Sequence, residues 1–267
     1  MPSHWLPSGD QTPPDADGPR PGASAFPPRP IHRTGIPRAT RAVIGREQER
    51  AEIRHHLLRP EIRLVSLVGP GGIGKTTLAL DVAAAILEQP DHPFSDGVAL
   101  VALASATPEQ VPVEIAAALN ITMQGARPTW EQLLEALCDQ ELLLVLDNLE
   151  HLLADTDNTL TTWIERLLVV APGIRLLVTS RERLRLNVEW VVQLGGLEVP
   201  PARGVARVEA AQSVRLFVER ARQVRPDFSL SSDNRGDVAR ICRQLEGMPL
   251  AIELAASWAR VLAPGEI

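Results

Sequence analysis

The chain has 267 residues and a formal net charge of −6, and 45% of its residues are hydrophobic. This length allows one large domain or two small ones with a well-buried core. The mild acidity argues against direct nucleic-acid binding by this stretch, and no apolar run approaches the roughly 20 residues of a membrane helix. Because the N-terminus also lacks a signal-peptide pattern, we expect a cytoplasmic protein with no membrane contact.

Residues 1–40 hold much of the proline, as in Pro13-Pro14 and Pro27-Pro28, among small and polar residues. They show no periodic apolar face that could bury anything. We therefore predict a disordered, proline-rich leader before a compact region that starts near residue 41. A docking site for a proline-binding module is the less favoured alternative.

The first motif is a glycine-rich loop between a predicted strand and a predicted helix. Residues 63–68 form a short apolar run typical of a buried strand, and residues 75–88 carry apolar positions at helical spacing. Residues 69–77 between them read Gly-Pro-Gly-Gly-Ile-Gly-Lys-Thr-Thr, which matches G-x-x-x-x-G-K-[ST]. The glycines let successive backbone N–H groups point at one spot, where the helix N-terminus adds partial positive charge. This spot is predicted to bind phosphate.

Lys75 is the only lysine of the chain and lies inside this loop. A lysine ammonium is a compact charge on a slim stem that can reach between two phosphates, whereas a planar guanidinium fits poorly there. We predict that the whole loop binds the nucleotide phosphates. Its residues are Gly69, Pro70, Gly71, Gly72, Ile73, Gly74, Lys75, Thr76 and Thr77.

The second motif is the apolar run of residues 142–146, which ends in Asp147. Magnesium prefers oxygen ligands, so the Thr76 hydroxyl and Asp147 would complete a phosphate–Mg²⁺ site, directly or through water. An apolar run plus an acid is weak evidence alone, because it also marks an ordinary strand end. Together with the upstream loop it favours a metal ligand.

The third motif, residues 176–181, is another apolar run with a polar end, Thr-Ser-Arg. The carboxyl ends of parallel strands meet at one edge of a sheet, so Thr179, Ser180 and Arg181 should face the phosphates. Arg181 is predicted to sense the terminal phosphate. The alternative is that Arg181, Arg183 and Arg185 form a solvated helix start.

Strand and helix patterns alternate along the compact region, which is typical of an α/β fold with a mostly parallel sheet flanked by helices. The predicted strands are residues 63–68, 97–103, 142–147, 174–179 and 190–194. From about residue 209 only helical patterns follow. We predict a nucleotide-binding domain of residues 41–205 and a small all-helical subdomain of residues 206–267.

The helical subdomain is predicted from three apolar stripes at helical spacing. Their members are Val214, Phe217, Val218 and Ala221, then Val238, Ile241 and Leu245, then Leu250, Leu254, Ala255 and Trp258. Gly247 should end the second helix, and Pro249 suits the first turn of the third.

Five segments, in order, resemble the STAND class of signalling NTPases, and specifically its NB-ARC-type ATPase module. They are residues 44–47, 69–77, 142–151, 176–184 and 246–254. The resemblance covers residues 41–267 and is closest to the module found in large bacterial transcriptional regulators. It implies a P-loop NTPase domain followed by a helical lid, with ATP or ADP and Mg²⁺ as ligands.

The resemblance also implies roles for single positions. Residues Ile44, Gly45 and Arg46 would contact the adenine and ribose side of the nucleotide. Asp147 would be the Mg²⁺-coordinating acid, Arg181 the phosphate-sensing arginine, and Pro249 the lid proline that packs near the base.

The sequence departs from the family pattern at two points. Many relatives have a second acid after the strand aspartate, but Asn148 stands here and cannot act as a general base, which leaves Glu150 to orient water. Relatives also continue into a winged-helix subdomain and sensor repeats, whereas this sequence stops at Ile267, about where the lid ends. We therefore leave open whether hydrolysis is weak or absent.

The interpretation that follows is an ATP/ADP-binding switch for signal transduction in transcription regulation. Its predicted catalytic residues are Lys75, Asp147, Arg181 and Glu150. Two alternatives stay open: a continuously cycling oligomeric ATPase, and a truncated nucleotide-binding remnant without effector output. Self-association or a separate effector protein would supply the missing output.

Overall fold

The computed structural model describes residues 43–125, 127–153, 158–201 and 208–267. All of them belong to the compact unit of residues 31–267. The predicted leader of residues 1–40 and the predicted domain boundary at residues 205 and 206 lie outside the described residues.

Five strands form one sheet in the order β2-β3-β4-β1-β5, and every described pairing is parallel. The strands are β1 (Leu64–Val68), β2 (Gly97–Ala102), β3 (Leu142–Asp147), β4 (Arg175–Ser180) and β5 (Glu189–Gln193). The predicted parallel sheet is confirmed, with each strand end within one residue of its predicted position. Continuous apolar runs such as Leu142 to Leu146 form strands here because both faces of the sheet are covered.

Helices cover both faces of the sheet. They are α1 (Glu47–Leu58), α2 (Lys75–Leu87), α3 (Val111–Ala118), α4 (Thr129–Leu137) and α5 (Thr159–Val170). Alternate residues of β3 point to opposite faces, so Leu142, Leu144 and Leu146 pack in the core with α3, α4 and α5. Leu143 and Val145 pack in a second core with α1 and α2. Both faces of the sheet are thus buried under helices.

Three further helices follow the sheet and share a core of their own. They are α6 (Gln212–Val224), α7 (Arg235–Gln244) and α8 (Pro249–Ser257). Their core contains Phe217, Val238 and Ile252. As predicted, Gly247 turns the chain after α7 with a φ of 70°, and Pro249 opens α8.

Of the apolar stripe predicted for α8, Ala255 packs against this core, but the other three members do not. Leu250, Leu254 and Trp258 are exposed, while Ile252, Ala256 and the following Ala259 are buried against α6 and α7. Both faces of this helix carry apolar residues, so helical periodicity alone does not identify the buried one. Small alanines allow the close approach of α8 to α6, which explains why this side is buried.

Candidate functional site

The phosphate loop, residues 69–77, joins β1 to α2 and is shaped by two glycines in the left-handed region. Gly72 has a φ of 76° and Gly74 a φ of 93°. Residues with a Cβ rarely adopt such φ values. The N–H groups of Gly74, Lys75 and Thr76 donate to no acceptor in the described part of the chain. A Cβ on Gly74 would meet nothing within 4 Å. Open space, free donors and the start of α2 together fit an anion such as phosphate.

Lys75 folds back over its own loop. Its side chain is almost buried, with 7% exposed, and Nζ donates to the carbonyl oxygens of Gly69 at 2.8 Å and Pro70 at 3.1 Å. Burial lowers the pKa of the Lys75 ammonium, Glu150 opposes this shift, and Arg181 adds to it. A bound phosphate would add negative charge beside this ammonium, as Glu150 and Asp147 already do, and would further oppose the effect of burial.

Asp147 lies at the tip of β3, where two hydroxyls meet the same carboxylate oxygen. Oδ1 accepts a hydrogen bond from Thr76 Oγ1 at 2.7 Å and another from Thr179 Oγ1. The two predicted Mg²⁺ ligands, Thr76 and Asp147, are therefore neighbours. The described residues contain no cluster of three or more histidine, cysteine, aspartate or glutamate side chains that could hold a metal, so a metal here would need phosphate or water oxygens as well.

Thr179 and Ser180, which were predicted to face the phosphates, use their hydroxyls within the protein. The Thr179 hydroxyl donates to Asp147, and Ser180 Oγ accepts the N–H of Glu182 at 3.2 Å. Thr179 is fully buried at the end of β4. A hydroxyl at the end of an apolar strand could have indicated a polar contact at this position. Its partner, Asp147, becomes identifiable once β4 is known to pair with β3.

The backbone conformation at position 148 explains why asparagine suits this position. Its φ is 72°, and its N–H donates to both the carbonyl oxygen and the hydroxyl of Thr179. Asparagine tolerates this left-handed conformation better than most residues. The position therefore suits a residue that tolerates the left-handed turn after β3.

Arg181 and Glu150 form an ion pair beside the phosphate loop. Arg181 Nε lies 3.0 Å from Glu150 Oε1, and the arginine side chain is 64% exposed while the glutamate is 18% exposed. A Cβ placed on Gly71 would lie 3.5 Å from Arg181 Nη2. The predicted sensing arginine and the predicted water-orienting acid are thus in contact with each other.

The predicted adenine-side residues lie just before α1. Gly45 and Arg46 both have positive φ, and the buried Arg46 guanidinium donates to Glu49 and to the carbonyl oxygen of Gly195. Ile44 lines a cavity of about 810 Å³ together with Val214 and other residues of α6. No residue of the phosphate loop lines this cavity.

The start of α8 packs directly on the phosphate loop. The N–H of Leu250 donates to the carbonyl oxygen of Gly72 at 3.2 Å, and a Cβ on Gly72 would lie 2.9 Å from Leu250 Cβ. Pro249, the first residue of α8, therefore stands next to the loop. The family resemblance implied that Pro249 lies near the nucleotide, whereas no sequence motif pointed to Leu250.

The segment after β5 connects the sheet to the C-terminal helices. The Leu194 N–H donates to Val68 O at 2.7 Å, and the Leu197 N–H donates to Gly247 O at 2.8 Å. Gly196 lies so close to the turn between α7 and α8 that a Cβ would meet Glu246 O at 2.0 Å. No motif or periodic pattern in the sequence predicted this junction.

An all-parallel sheet in this order, with a phosphate loop between β1 and α2, defines the class of P-loop ATPases. Residues 42–226 match the family described as the AAA ATPase domain, and the chain belongs to that family. Its fold is accordingly one that binds nucleotides, typically with Mg²⁺. No helix in the described ranges is both long and apolar enough to cross a membrane.

Two proteins of Mycobacterium tuberculosis are similar in sequence. An uncharacterized one is 36% identical over 225 residues, which cover 84% of this chain and 52% of that protein. The other, provisionally named an HTH-type transcriptional regulator, is 34% identical over 206 residues, covering 77% of this chain and 21% of that protein. The chain thus spans about half the length of the first relative and about a fifth of the second.

Solved structures show the same fold at low sequence identity. The Walker-type ATPase of Pyrococcus abyssi aligns with a TM-score of 0.55 and 14% identity, over 82% of this chain and 68% of that chain. The similarity supports the arrangement of sheet, loop and helices. The functional argument depends on the site itself.

Proposed function

We propose that this chain is an ATP/ADP-binding switch module of the NB-ARC or STAND type that acts in transcription regulation. The observation that carries the proposal is the direct contact between the phosphate loop and α8, at Gly72 and Leu250. A change in the loop on binding phosphate would reach the C-terminal helices through this contact. We treat residues 41–205 as the nucleotide-binding domain and residues 206–267 as its lid.

Nucleotide binding is supported by the donors of the loop and by Lys75. The ammonium needs only to exchange two backbone carbonyls for phosphate oxygens. Thr76 and Asp147 supply neighbouring oxygens suited to Mg²⁺, which when bound would neutralise phosphate charge. These residues would bind the phosphates. The adenine and ribose side of the nucleotide is proposed to contact Ile44, Gly45, Arg46 and Pro249.

Slow or weak hydrolysis is supported by the surroundings of Glu150. Asn148 offers an amide where a second acid would act as a base, and Glu150 is paired with Arg181. An acid paired with an arginine can orient water only after the pair has opened, which slows turnover. A site that binds tightly and turns over slowly can keep two nucleotide states apart, which a switch requires.

A role in transcription regulation is supported by the similarity to a protein provisionally named an HTH-type transcriptional regulator. The C-terminal helices are the part of the chain best placed to pass on the nucleotide state, because they touch the loop. A partner protein, a second copy or another segment would receive it. ATP or ADP and Mg²⁺ are the proposed ligands.

Thermal unfolding with ATP or ADP, with and without Mg²⁺, tests the proposal. Nucleotide at a hundredfold its dissociation constant should stabilise the wild-type protein by about 2.7 kcal/mol. Lys75→Ala should lose this stabilisation because the phosphates lose their only lysine, and Lys75→Arg should lose most of it because a guanidinium does not fit the loop. Arg127→Ala, which removes an exposed charge paired with Glu135, is the matched control and should keep it.

Undiminished nucleotide stabilisation of Lys75→Ala would defeat the site assignment. Steady turnover by the wild-type protein near the ~10 s⁻¹ typical of enzymes would instead favour a continuously cycling ATPase. Retention of ADP after gentle purification, with exchange over minutes or hours, is the result expected of a switch.

A further inference from the structure

Arg181 occupies the centre of the site. It directly follows β4, which lies between β1 with its phosphate loop and β3 with Asp147. Its guanidinium lies beside Gly71 in the first half of the loop. Any phosphate held by the loop and by a metal at Asp147 would therefore have Arg181 within reach.

Glu150 holds Arg181 by a single contact and is itself poorly satisfied. Its Oε1 forms an ion pair with Arg181 Nε at 3.0 Å, while its Oε2 is buried with no hydrogen-bond partner in the described part of the chain. A buried carboxylate with one unpaired oxygen is stabilised by nearby cations, and Arg181 is the one paired with it directly. The arginine, by contrast, is largely exposed and keeps donors for a second acceptor.

The charges of the pair also act on Lys75. Burial is the largest influence on the pKa of Lys75 and lowers it, after which Glu150 raises it and Arg181 lowers it further. Lys75, Glu150 and Arg181 thus belong to one electrostatic site, so a dianionic terminal phosphate would change the balance among all three.

We propose that Glu150 and the terminal phosphate of ATP compete for Arg181, so that the Glu150–Arg181 pair is a latch that only ATP opens. The inference rests on the proposed function and names how its site discriminates ATP from ADP. ADP lacks the terminal phosphate and leaves the latch closed. ATP draws Arg181 away and frees the Glu150 carboxylate, which then faces the reacting phosphate rather than the arginine.

The strength of the Glu150–Arg181 ion pair limits how much the latch can change ATP affinity. Partly exposed ion pairs are worth a factor of about two to five in an equilibrium constant. Because the latch must open before Arg181 reaches the terminal phosphate, it should reduce ATP affinity by a factor of that size. It should not affect ADP affinity.

Calorimetric titration of the full chain with ATP and with ADP, in Mg²⁺, tests the latch. Glu150→Gln keeps the size of the side chain and removes its charge, so ATP affinity should rise about two- to fivefold while ADP affinity stays unchanged. Glu150→Asp keeps the charge but shortens the reach to Arg181, and it should raise ATP affinity in the same direction. Arg183→Ala, which changes an exposed neighbouring arginine, should leave both affinities unchanged.

Repeating the titration in Arg181→Ala protein distinguishes loss of the latch from a simple loss of negative charge near the phosphates. In Arg181→Ala protein no latch exists, so adding Glu150→Gln should bring no gain in ATP affinity. A gain that persists without Arg181, an equal gain for ATP and ADP, or a loss of ATP affinity would each overturn the latch. A wild-type protein that binds neither nucleotide would instead overturn the proposed function.

Discussion

Asp147 is contacted by hydroxyls from two separate segments of the chain, Thr76 in the phosphate loop and Thr179 in β4. The loop sequence and the position of Lys75 follow from a short motif with a known physical purpose, and Asp147 follows from an apolar run of strand length. The contacts of Asp147 were less predictable, because Thr179 belongs to a different strand and is 32 residues away in sequence. Only the pairing of β3 with β4 places that hydroxyl on the carboxylate.

Thr179 is expected to act as a positioning residue for Asp147. Thr179→Val keeps the branched shape but removes the hydroxyl that donates to Asp147 and accepts from the Asn148 N–H. Loss of a residue that orients a metal ligand typically weakens metal binding by about 10-fold or more. We therefore expect about a 10-fold loss of nucleotide affinity in Mg²⁺ and little loss in EDTA, measured by calorimetry.

The control for this substitution is Thr161→Val, which removes an exposed hydroxyl on α5. It should leave binding unchanged under both conditions. Equal losses with and without Mg²⁺ in Thr179→Val would show that the hydroxyl supports the fold of the site rather than the metal ligand.

Elements were predictable in type and extent, but less so in orientation. Pro249 and Gly247 marked the start of α8 and the turn before it, since each has a specific backbone role. The buried face of α8 was not predictable, because both of its faces are apolar. The junction between residues 194–198 and the turn at Gly247 was also unpredictable, since it depends on a close backbone approach that leaves no periodic signal.

The adjacent residues Gly195 and Gly196 allow a matched test of this junction. A Cβ on Gly196 would collide with Glu246 O at 2.0 Å, whereas a Cβ on Gly195 would meet nothing within 4 Å. Because the obstacle is backbone, Gly196→Ala should destabilise the protein by about 1–3 kcal/mol, as overpacking does. Gly195→Ala should change the free energy of unfolding by less than about 0.5 kcal/mol. Urea unfolding of both variants gives the comparison, and equal effects would contradict a close-packed junction.

At the scale of the whole molecule, the alternation of strands and helices predicted the parallel sheet correctly. Alternation does not determine which strands are neighbours. The insertion of β4 between β1 and β3 is what brings Arg181 to the loop and Thr179 to Asp147. Functional contacts between distant motifs therefore needed the folded structure, whereas the motifs themselves did not.

Because the phosphate loop contacts α8, nucleotide binding is expected to slow amide exchange both in the loop and at the start of α8. The Leu250 N–H is bonded to Gly72 O, and the Leu197 N–H to Gly247 O. If the nucleotide fixes the loop, opening of these bonds becomes rarer and amide exchange slows. Hydrogen exchange followed by mass spectrometry should show ATP-dependent protection in residues 69–77 and also in residues 246–252.

The same measurement on Lys75→Ala supplies the control, because a protein that does not bind should gain protection in neither segment. The exposed end of α8 near Trp258 should gain little in either protein, since it lies at the far end of the helix from the loop. Protection confined to residues 69–77 would mean that α8 does not respond to the nucleotide. In that case the Gly72–Leu250 contact would be a static packing feature, and the C-terminal helices would not carry the signal.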